Sequence, residues 1–201
     1  QYGVSLAALG AVLFVLRLLD VVQDPLFGRL SERWRAHRGL SVGVGCAVMA
    51  LGMVGLFAIP PLLPPLMWFA LMLTLVFSAF SFLTINFYAQ GVLKAASMAG
   101  QGHLRLARWR ETGALLGVCV ASVAPVALGV AMAAPFAGFA AGFACLALFA
   151  AWIMRSEWST KGTAPSTGFG TVLRDPLARR LLIIALLNAA PVAVSSTLFL
   201  F

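Results

Sequence analysis

The chain has 201 residues, of which 62% are hydrophobic and only 10% are charged, and its formal net charge is +8 at pH 7. A soluble domain of this size needs more polar side chains to cover its surface, so the composition excludes a soluble globular protein and indicates an integral membrane protein. A positive charge of this size can indicate nucleic-acid binding, but these basic residues lie between apolar runs, which favours a role in membrane topology.

Long apolar segments follow one another along the chain. A membrane-spanning helix needs about 20 apolar residues, and five full segments meet that length while a sixth runs to the end of the chain. The segments extend over about 4–30, 40–59, 66–93, 111–133, 135–154 and 180–201. The chain starts at Gln1 without a methionine and ends inside an apolar run, so we expect a fragment of a longer protein.

These segments predict an all-α polytopic membrane protein with three parts. A five-helix bundle occupies 1–155, and the first helix of a second bundle occupies 180–201. Between them, 156–179 contains the stretch SEWSTKGTAPSTGFG, whose glycine, serine and proline content predicts a flexible cytoplasmic linker. Two glycine pairs spaced four residues apart, Gly113 with Gly117 and Gly138 with Gly142, predict close helix packing.

The basic residues alternate between connections. Every Lys and Arg except Arg17 falls in the first, third or fifth connection, and the second and fourth connections have none. Cytoplasmic loops of membrane proteins carry an excess of Lys and Arg, so the pattern places the loops 29–39, 94–110 and 155–180 in the cytoplasm. We therefore expect a multi-pass protein of the inner (plasma) membrane.

Three charges lie inside the first segment, before Arg29 at its end: Arg17, Asp20 and Asp24. Asp20 is ten residues before Leu30, about 15 Å along a helix, so it lies near the middle of a hydrocarbon core of about 30 Å. A charge there costs at least about 2.5 to 3.5 kcal/mol on insertion scales. One interpretation is an internal ion pair with Arg17, which leaves one carboxylate without a partner in this helix. The other is that both carboxylates line an aqueous cavity and bind Na⁺ or a proton.

Pro25 and Gly28 follow these charges directly. A proline within a membrane helix frees a backbone carbonyl and permits a kink, and a glycine permits close approach to a neighbouring helix. The two residues predict a helix that bends or moves against a partner.

This part of the chain resembles the second-helix signature of a transporter family. The signature is Arg17-x-x-Asp20-x-x-x-Asp24-Pro25-x-x-Gly28, which continues to Glu32, Arg33 and Arg38. It is similar to that of the glycoside–pentoside–hexuronide:cation symporters, the melibiose permease-like family of the major facilitator superfamily. WRETGALLGV, from Trp109, resembles the start of that family's fifth helix, and LRDPLARRLLIIALLNAA resembles the linker into its seventh.

The resemblance implies that the chain covers about helices 2 to 7 of a 12-helix transporter. It implies a secondary active transporter that moves a sugar or related small solute together with Na⁺ or H⁺ by alternating access, with no other cofactor. Its partners would be a small-molecule substrate, a coupling cation and the lipid bilayer. The implied cation-binding residues are Asp20, Asp24, Ser81 and Thr84; the implied substrate-binding residues are Arg17, Asn86, Tyr88 and Arg110; the implied cytoplasmic gate is Gly28, Glu32, Arg33 and Arg38.

One departure from the family concerns its fourth helix. That helix can supply a further aspartate to the cation site, whereas the matching region here, SFLTINFYAQG, has Thr84 near the aligned position and no acid. The coupling ion is therefore Na⁺, H⁺ or none, and a carrier of lipid or another solute, or a non-transporting scaffold of the same fold, remains an alternative.

An enzyme is not expected. His37 and His103 lie in loops away from any cluster of Cys or acidic residues, so no metal site is predicted beyond a possible Na⁺ at Asp20 and Asp24. No glycine-rich phosphate loop is present, which leaves ATP-driven transport without support. Paired intramembrane aspartates also occur in proteases, but the Asp24-Pro25 junction beside an arginine-rich loop suits a transporter gate better.

Overall fold

A computed structural model describes residues 5–98, 100–159, 170, 174–184 and 187, without the side chains of residues 6, 17 and 159. The chain forms two compact units, Gln1–Gly162 and Thr163–Phe201. Five α-helices make up the described part of the first unit. They are α1 Leu6–Arg33, α2 Arg38–Phe57, α3 Pro65–Ser97, α4 Gly102–Ala131 and α5 Pro135–Ile153, with 3₁₀ helices at Arg35–His37 and Met154–Ser159. The all-α architecture predicted from the sequence is confirmed.

The helix starts have local causes. The hydroxyl of Ser5 caps α1 by accepting a hydrogen bond from the backbone N–H of Ala8 at 3.2 Å. Both α3 and α5 begin with a proline, Pro65 and Pro135, whose fixed φ suits the first helical position. Pro25 lies inside α1 and does not end that helix.

Four segments among the described residues are both long and apolar enough to cross a membrane: Arg35–Phe57, Pro65–Ser97, Gly102–Ala131 and Pro135–Trp158. The 28 residues of α1 extend over about 42 Å, which also exceeds the hydrocarbon thickness of about 30 Å. Large apolar side chains cover the outside of the unit; on α4, for example, Val118, Val120, Val126 and Val130 are all exposed. Hydrocarbon accepts such a surface without cost, so the fold fits an integral membrane protein.

The helices are longer at their basic ends than the sequence predicted. Arg29 and Arg33 belong to α1 and Arg38 begins α2, so the first connection is Trp34–His37 rather than 29–39. Lys94 lies in the last turn of α3, and α4 already begins at Gly102, nine residues before the predicted start at Glu111. The physical reason is that Lys and Arg are good helix formers, so hydropathy marks the hydrocarbon boundary and not the end of the helix.

Close packing of α2 on α3 depends on glycines that were not predicted from the sequence. A Cβ at Gly52 would lie 2.7 Å from Val76 Cγ2, and one at Gly55 would overlap Met72 Sδ. Trp68 of α3 donates its indole N–H to the carbonyl of Gly55 at 2.9 Å.

The glycine pairs that were predicted to pack closely behave differently. A Cβ at Gly113, Gly117 or Gly142 would meet nothing within 4 Å, and only Gly138 has a close neighbour, Met132. The prediction of close helix packing at these pairs is therefore wrong within this unit, except at Gly138.

The second unit is described only over a short helical stretch. The Asp175 carboxylate accepts the backbone N–H of Leu177 at 2.9 Å, and its carbonyl accepts that of Arg179 at 3.0 Å. Asp175 thus caps the helical residues 176–184. Most of the predicted linker 156–179 and of the predicted helix 180–201 lies outside the described residues.

Candidate functional site

Helices α1 and α3 run side by side in the same direction. Gln23 contacts Ser78, Phe27 contacts Phe82 and Ser31 contacts Asn86, and each pair is separated by 55 residues in the sequence. A constant separation means that both helices advance together, which is the arrangement of parallel neighbours. The contacts form one seam, and the two predicted cation-binding carboxylates lie along it.

Both aspartates of α1 accept hydrogen bonds at this seam. The amide of Gln23 donates to Asp20 Oδ1 at 2.7 Å, and its carbonyl accepts the hydroxyl of Ser78 at 2.9 Å. The hydroxyl of Ser81 donates to Asp24 Oδ1. The structure therefore brings Asp20, Asp24 and Ser81 to one interface and adds Gln23 and Ser78 to them.

This arrangement brings several side-chain oxygen atoms together. Carboxylate, hydroxyl and amide oxygens are the ligands that hard cations take, and a carboxylate can also accept a proton. Within the described part of the chain, no three His, Cys, Asp or Glu side chains group together as a transition-metal site would require. Binding of an alkali cation or a proton at the seam stays a prediction.

Thr84 lies three residues after Ser81 on α3 but has different neighbours. It lines a cavity of about 360 Å³ together with Cys46 of α2, Ala151 of α5 and Arg110 of α4. Three residues of helix leave the two side chains about 60° apart around the axis of α3, and at this offset Ser81 contacts Asp24 of α1 whereas Thr84 lines the cavity. The structure brings Thr84 together with Arg110 and not with the carboxylates.

Asn86 is engaged within the helix bundle. Its side chain is 1% exposed; its carbonyl accepts the hydroxyl of Ser31 at 2.7 Å, and its amide donates to the backbone carbonyl of Phe82 at 2.8 Å. These contacts give Asn86 a role in joining α1 to α3. Its predicted substrate contact stays a prediction, and so does that of Arg17, whose side chain lies outside the described residues.

Tyr88 and Arg110 form a pair. The Arg110 guanidinium carbon lies 4.7 Å from the centre of the Tyr88 ring, a cation–π distance. Glu111 Oε1 accepts hydrogen bonds from Arg110 Nε at 3.0 Å and Nη2 at 2.7 Å. Both Tyr88 and Arg110 also line a second crevice of about 300 Å³ between α3 and α4. Two residues predicted to bind substrate are thus neighbours at a cavity wall.

The predicted gate residues belong to a wider polar network where the basic connections meet. Arg38 is 3% exposed; its Nη1 donates to Gln90 Oε1 at 3.2 Å, and its Nη2 lies 3.9 Å from Glu32 Oε1. Gln90 in turn donates to the backbone carbonyl of Glu157 at 2.5 Å, and Lys94 Nζ lies 2.6 Å from the Glu157 carboxylate. The network connects α1, α2, α3 and the 3₁₀ helix after α5.

Among the described contacts, none joins the other two predicted gate residues to this network. Arg33 is exposed at the end of α1. A Cβ at Gly28 would meet nothing within 4 Å, so no close approach within this unit requires a glycine there.

Sequence reasoning missed four polar residues that the structure places at these sites: Gln23, Ser78, Gln90 and Glu157. Gln23 offered a signal, since it lies three residues after Asp20 and therefore on the same helix face. Gln90 was also visible as an uncharged polar residue within an apolar run. Glu157 gave no such signal, because it lies in a polar stretch among other polar residues.

The fold and these contacts define a polytopic α-helical membrane protein whose polar residues are concentrated at helix interfaces, at one end of the bundle and beside two cavities. The family comparison agrees: the model described as MFS/sugar transport protein matches residues 1–201. The chain therefore belongs to this family of the major facilitator superfamily. Searches of curated proteins and of solved structures gave no match.

Proposed function

We propose that the protein is a secondary active transporter of the inner (plasma) membrane that couples entry of Na⁺ or H⁺ to movement of a sugar or related small solute. The observation that carries this proposal is the pair of carboxylates in α1 that accept hydrogen bonds at the α1–α3 seam. Charge within the membrane is costly and marks ion pathways in membrane proteins, and these side chains offer oxygen ligands to a cation. Family membership supports sugar transport in general.

The seam and the cavities supply separate sites for ion and solute. Asp20, Asp24 and Ser81 lie on the α1 side of α3, whereas Tyr88 and Arg110 lie on its cavity side. Occupation of the ion site removes negative charge from α1 and thereby favours a different packing of this helix against α3. Because α3 carries residues of both sites, that movement is transmitted to the solute site.

The polar network at the basic end is suited to act as the cytoplasmic gate. Glu32, Arg38 and Gln90 join three helices, and the pair of Lys94 and Glu157 lies at the surface of the network. Such contacts can break and form again as helix bundles rock about a central site. Alternating access would then open the network when the solute leaves toward the cytoplasm.

The test uses the protein at its full natural length in proteoliposomes. Uptake of a panel of labelled sugars is followed with an inward Na⁺, Li⁺ or proton gradient for wild type, Asp20→Asn and Asp24→Asn. We expect cation-driven uptake in wild type and its loss in both variants. Asp175→Asn is the matched control, because asparagine also caps helices and Asp175 lies in the second unit.

The possible outcomes separate the parts of the proposal. Uptake that persists in both variants would contradict a coupling role for the aspartates. Uptake that needs no cation gradient in wild type would contradict symport and leave passive sugar transport.

A carrier of amphiphilic solutes is the second candidate. The larger cavity favours it, because apolar side chains such as Val42, Phe80 and Leu83 dominate its lining. The uptake panel therefore includes a labelled lysophospholipid. Uptake of this probe and of no sugar would favour the lipid carrier, and absence of any uptake would favour a non-transporting scaffold.

A further inference from the structure

Arg110 lies where the two cavities of the helix bundle meet. It lines both the cavity of about 360 Å³ and the crevice of about 300 Å³, as do Phe87 and Tyr88. Volumes at this lower end of the range for ligand sites suit a small solute of the size of a sugar. A group at this position contacts a solute in either cavity, so its charge affects which solutes are accepted.

Glu111 compensates the charge of Arg110 from outside the cavities. It is not among the residues that line either of them, yet its Oε1 accepts both the Nε and the Nη2 hydrogen bonds of the guanidinium. The Tyr88 ring packs on the same guanidinium at 4.7 Å. Neither hydrogen bond uses Nη1, so the group is held in place while one nitrogen remains for a solute.

The crevice walls suit a neutral, hydroxyl-rich solute. Among the described residues that line the crevice there is no carboxylate, and its aromatic members are Phe87, Tyr88 and Trp109. Aromatic faces accommodate the C–H face of a sugar ring, and guanidinium N–H groups donate to hydroxyl oxygens. An uncompensated arginine would instead favour a carboxylate or phosphate, which binds it bidentately.

We propose that Glu111 is a specificity-determining residue that makes this site accept neutral sugars and reject sugar acids. A sugar carboxylate has to displace Glu111 from Arg110 or bind beside it, and either outcome makes two carboxylates compete for one guanidinium. A sugar hydroxyl accepts a hydrogen bond from Nη1 without displacing Glu111. This inference rests on the proposed transport of sugars.

The experiment measures equilibrium binding to the purified full-length protein in nanodiscs. The probes are a methyl glucoside and the matching methyl glucuronide, which differ by a hydroxymethyl group and a carboxylate. We expect wild type to bind the glucoside at least tenfold more tightly. Glu111→Gln keeps the shape and removes the charge, and we expect it to shift the affinity ratio at least tenfold toward the glucuronide, while Glu111→Asp keeps the preference of wild type.

The outcomes distinguish failure of the inference from failure of the proposed function. An unchanged ratio in a folded Glu111→Gln protein overturns the inference and leaves sugar transport intact. Equal binding of both probes by wild type overturns it as well, and this result needs no variant to fold. Binding of neither probe to folded wild type, together with absence of sugar uptake, overturns the proposed function and the inference with it.

Discussion

Ser31 of α1 donates a hydrogen bond to Asn86 of α3, with 2.7 Å between the two oxygens, and both side chains are buried. The contact joins two parallel helices and lies between the aspartates of α1 and the polar network at the basic end. Above it, Phe27 and Phe82 meet edge to face with ring centres 5.6 Å apart. An apolar contact thus lies between the Asp24–Ser81 and Ser31–Asn86 contacts along the seam.

Ser31→Ala should destabilise the bundle because it leaves the Asn86 carbonyl without its partner on α1. Hydrogen bonds between membrane helices contribute about 0.6 kcal/mol on average and up to about 1.7, and we expect a loss near the upper end because both residues are buried. Thermal unfolding in detergent measures the effect. Ser122→Ala is the control, since Ser122 is exposed and bonds to its own helix at Val118. Equal melting temperatures for the two variants would show that the seam contact adds no stability.

Gly52→Ala should also destabilise the bundle. A Cβ at this position would lie 2.7 Å from Val76 Cγ2 and 3.2 Å from the Met72 carbonyl, so α2 and α3 have to separate. Overpacking of this kind costs about 1 to 3 kcal/mol, which exceeds the gain of up to about 1 kcal/mol in helix propensity.

The matched control for that change is Gly113→Ala. A Cβ at Gly113 meets nothing within 4 Å, so only the propensity gain remains, and we expect unchanged or raised thermal stability. Loss of stability at Gly113 with none at Gly52 would mean that the predicted glycine pair, and not the α2–α3 contact, is the tight interface.

The helices, and the place of Asp20 and Asp24 within the first of them, were predictable from the sequence because each has a strong local signal. Hydropathy alone located all five helices of the first unit, and two charges in an apolar run marked Asp20 and Asp24. The helix ends at Arg33 and Gly102 were not predictable in this way, because a helix continues into the polar region as long as its residues favour helix.

The partners of the site residues could not be predicted, because they depend on how the helices pack. Ser81 and Thr84 are equally polar and only three residues apart, yet one contacts Asp24 and the other lines a cavity. Gln90 looked like any polar residue within a membrane helix until the packing placed it between Arg38 and Glu157. Helix rotation about its own axis decides these contacts, and the sequence of one helix does not reveal it.

Gln90→Leu should destabilise the polar network at the basic end of the bundle more than Lys94→Gln does. The first change removes an acceptor from the buried Arg38 guanidinium, and hydrogen bonds to charged groups contribute about 1.5 to 3 kcal/mol. The second breaks an ion pair whose two side chains are each 46% exposed, and exposed pairs contribute about 1 kcal/mol or less. Thermal unfolding in detergent measures the loss of stability in each variant. The accessibility of Cys46 to a membrane-permeant thiol reagent reports whether the helix packing around Cys46, Val42 and Trp158 opens. A larger loss of stability for Lys94→Gln than for Gln90→Leu would contradict this prediction, because the exposed ion pair would then contribute more than the buried hydrogen bond.

Ser81→Ala and Thr84→Val should separate the ion site from the solute site. Ser81 donates a hydrogen bond to Asp24, so Ser81→Ala removes a hydroxyl from the seam. We expect the cation concentration for half-maximal uptake to rise about three- to tenfold. This range corresponds to a loss of about 0.6 to 1.4 kcal/mol of binding free energy. Thr84 lines the cavity beside Arg110, so its loss should raise the half-saturating solute concentration and leave the cation dependence unchanged. Uptake in proteoliposomes, titrated first with cation and then with sugar, measures both constants. If Thr84→Val alters the cation dependence as much as Ser81→Ala does, both residues bind the ion, and α3 must rotate during transport to bring Thr84 to the carboxylates.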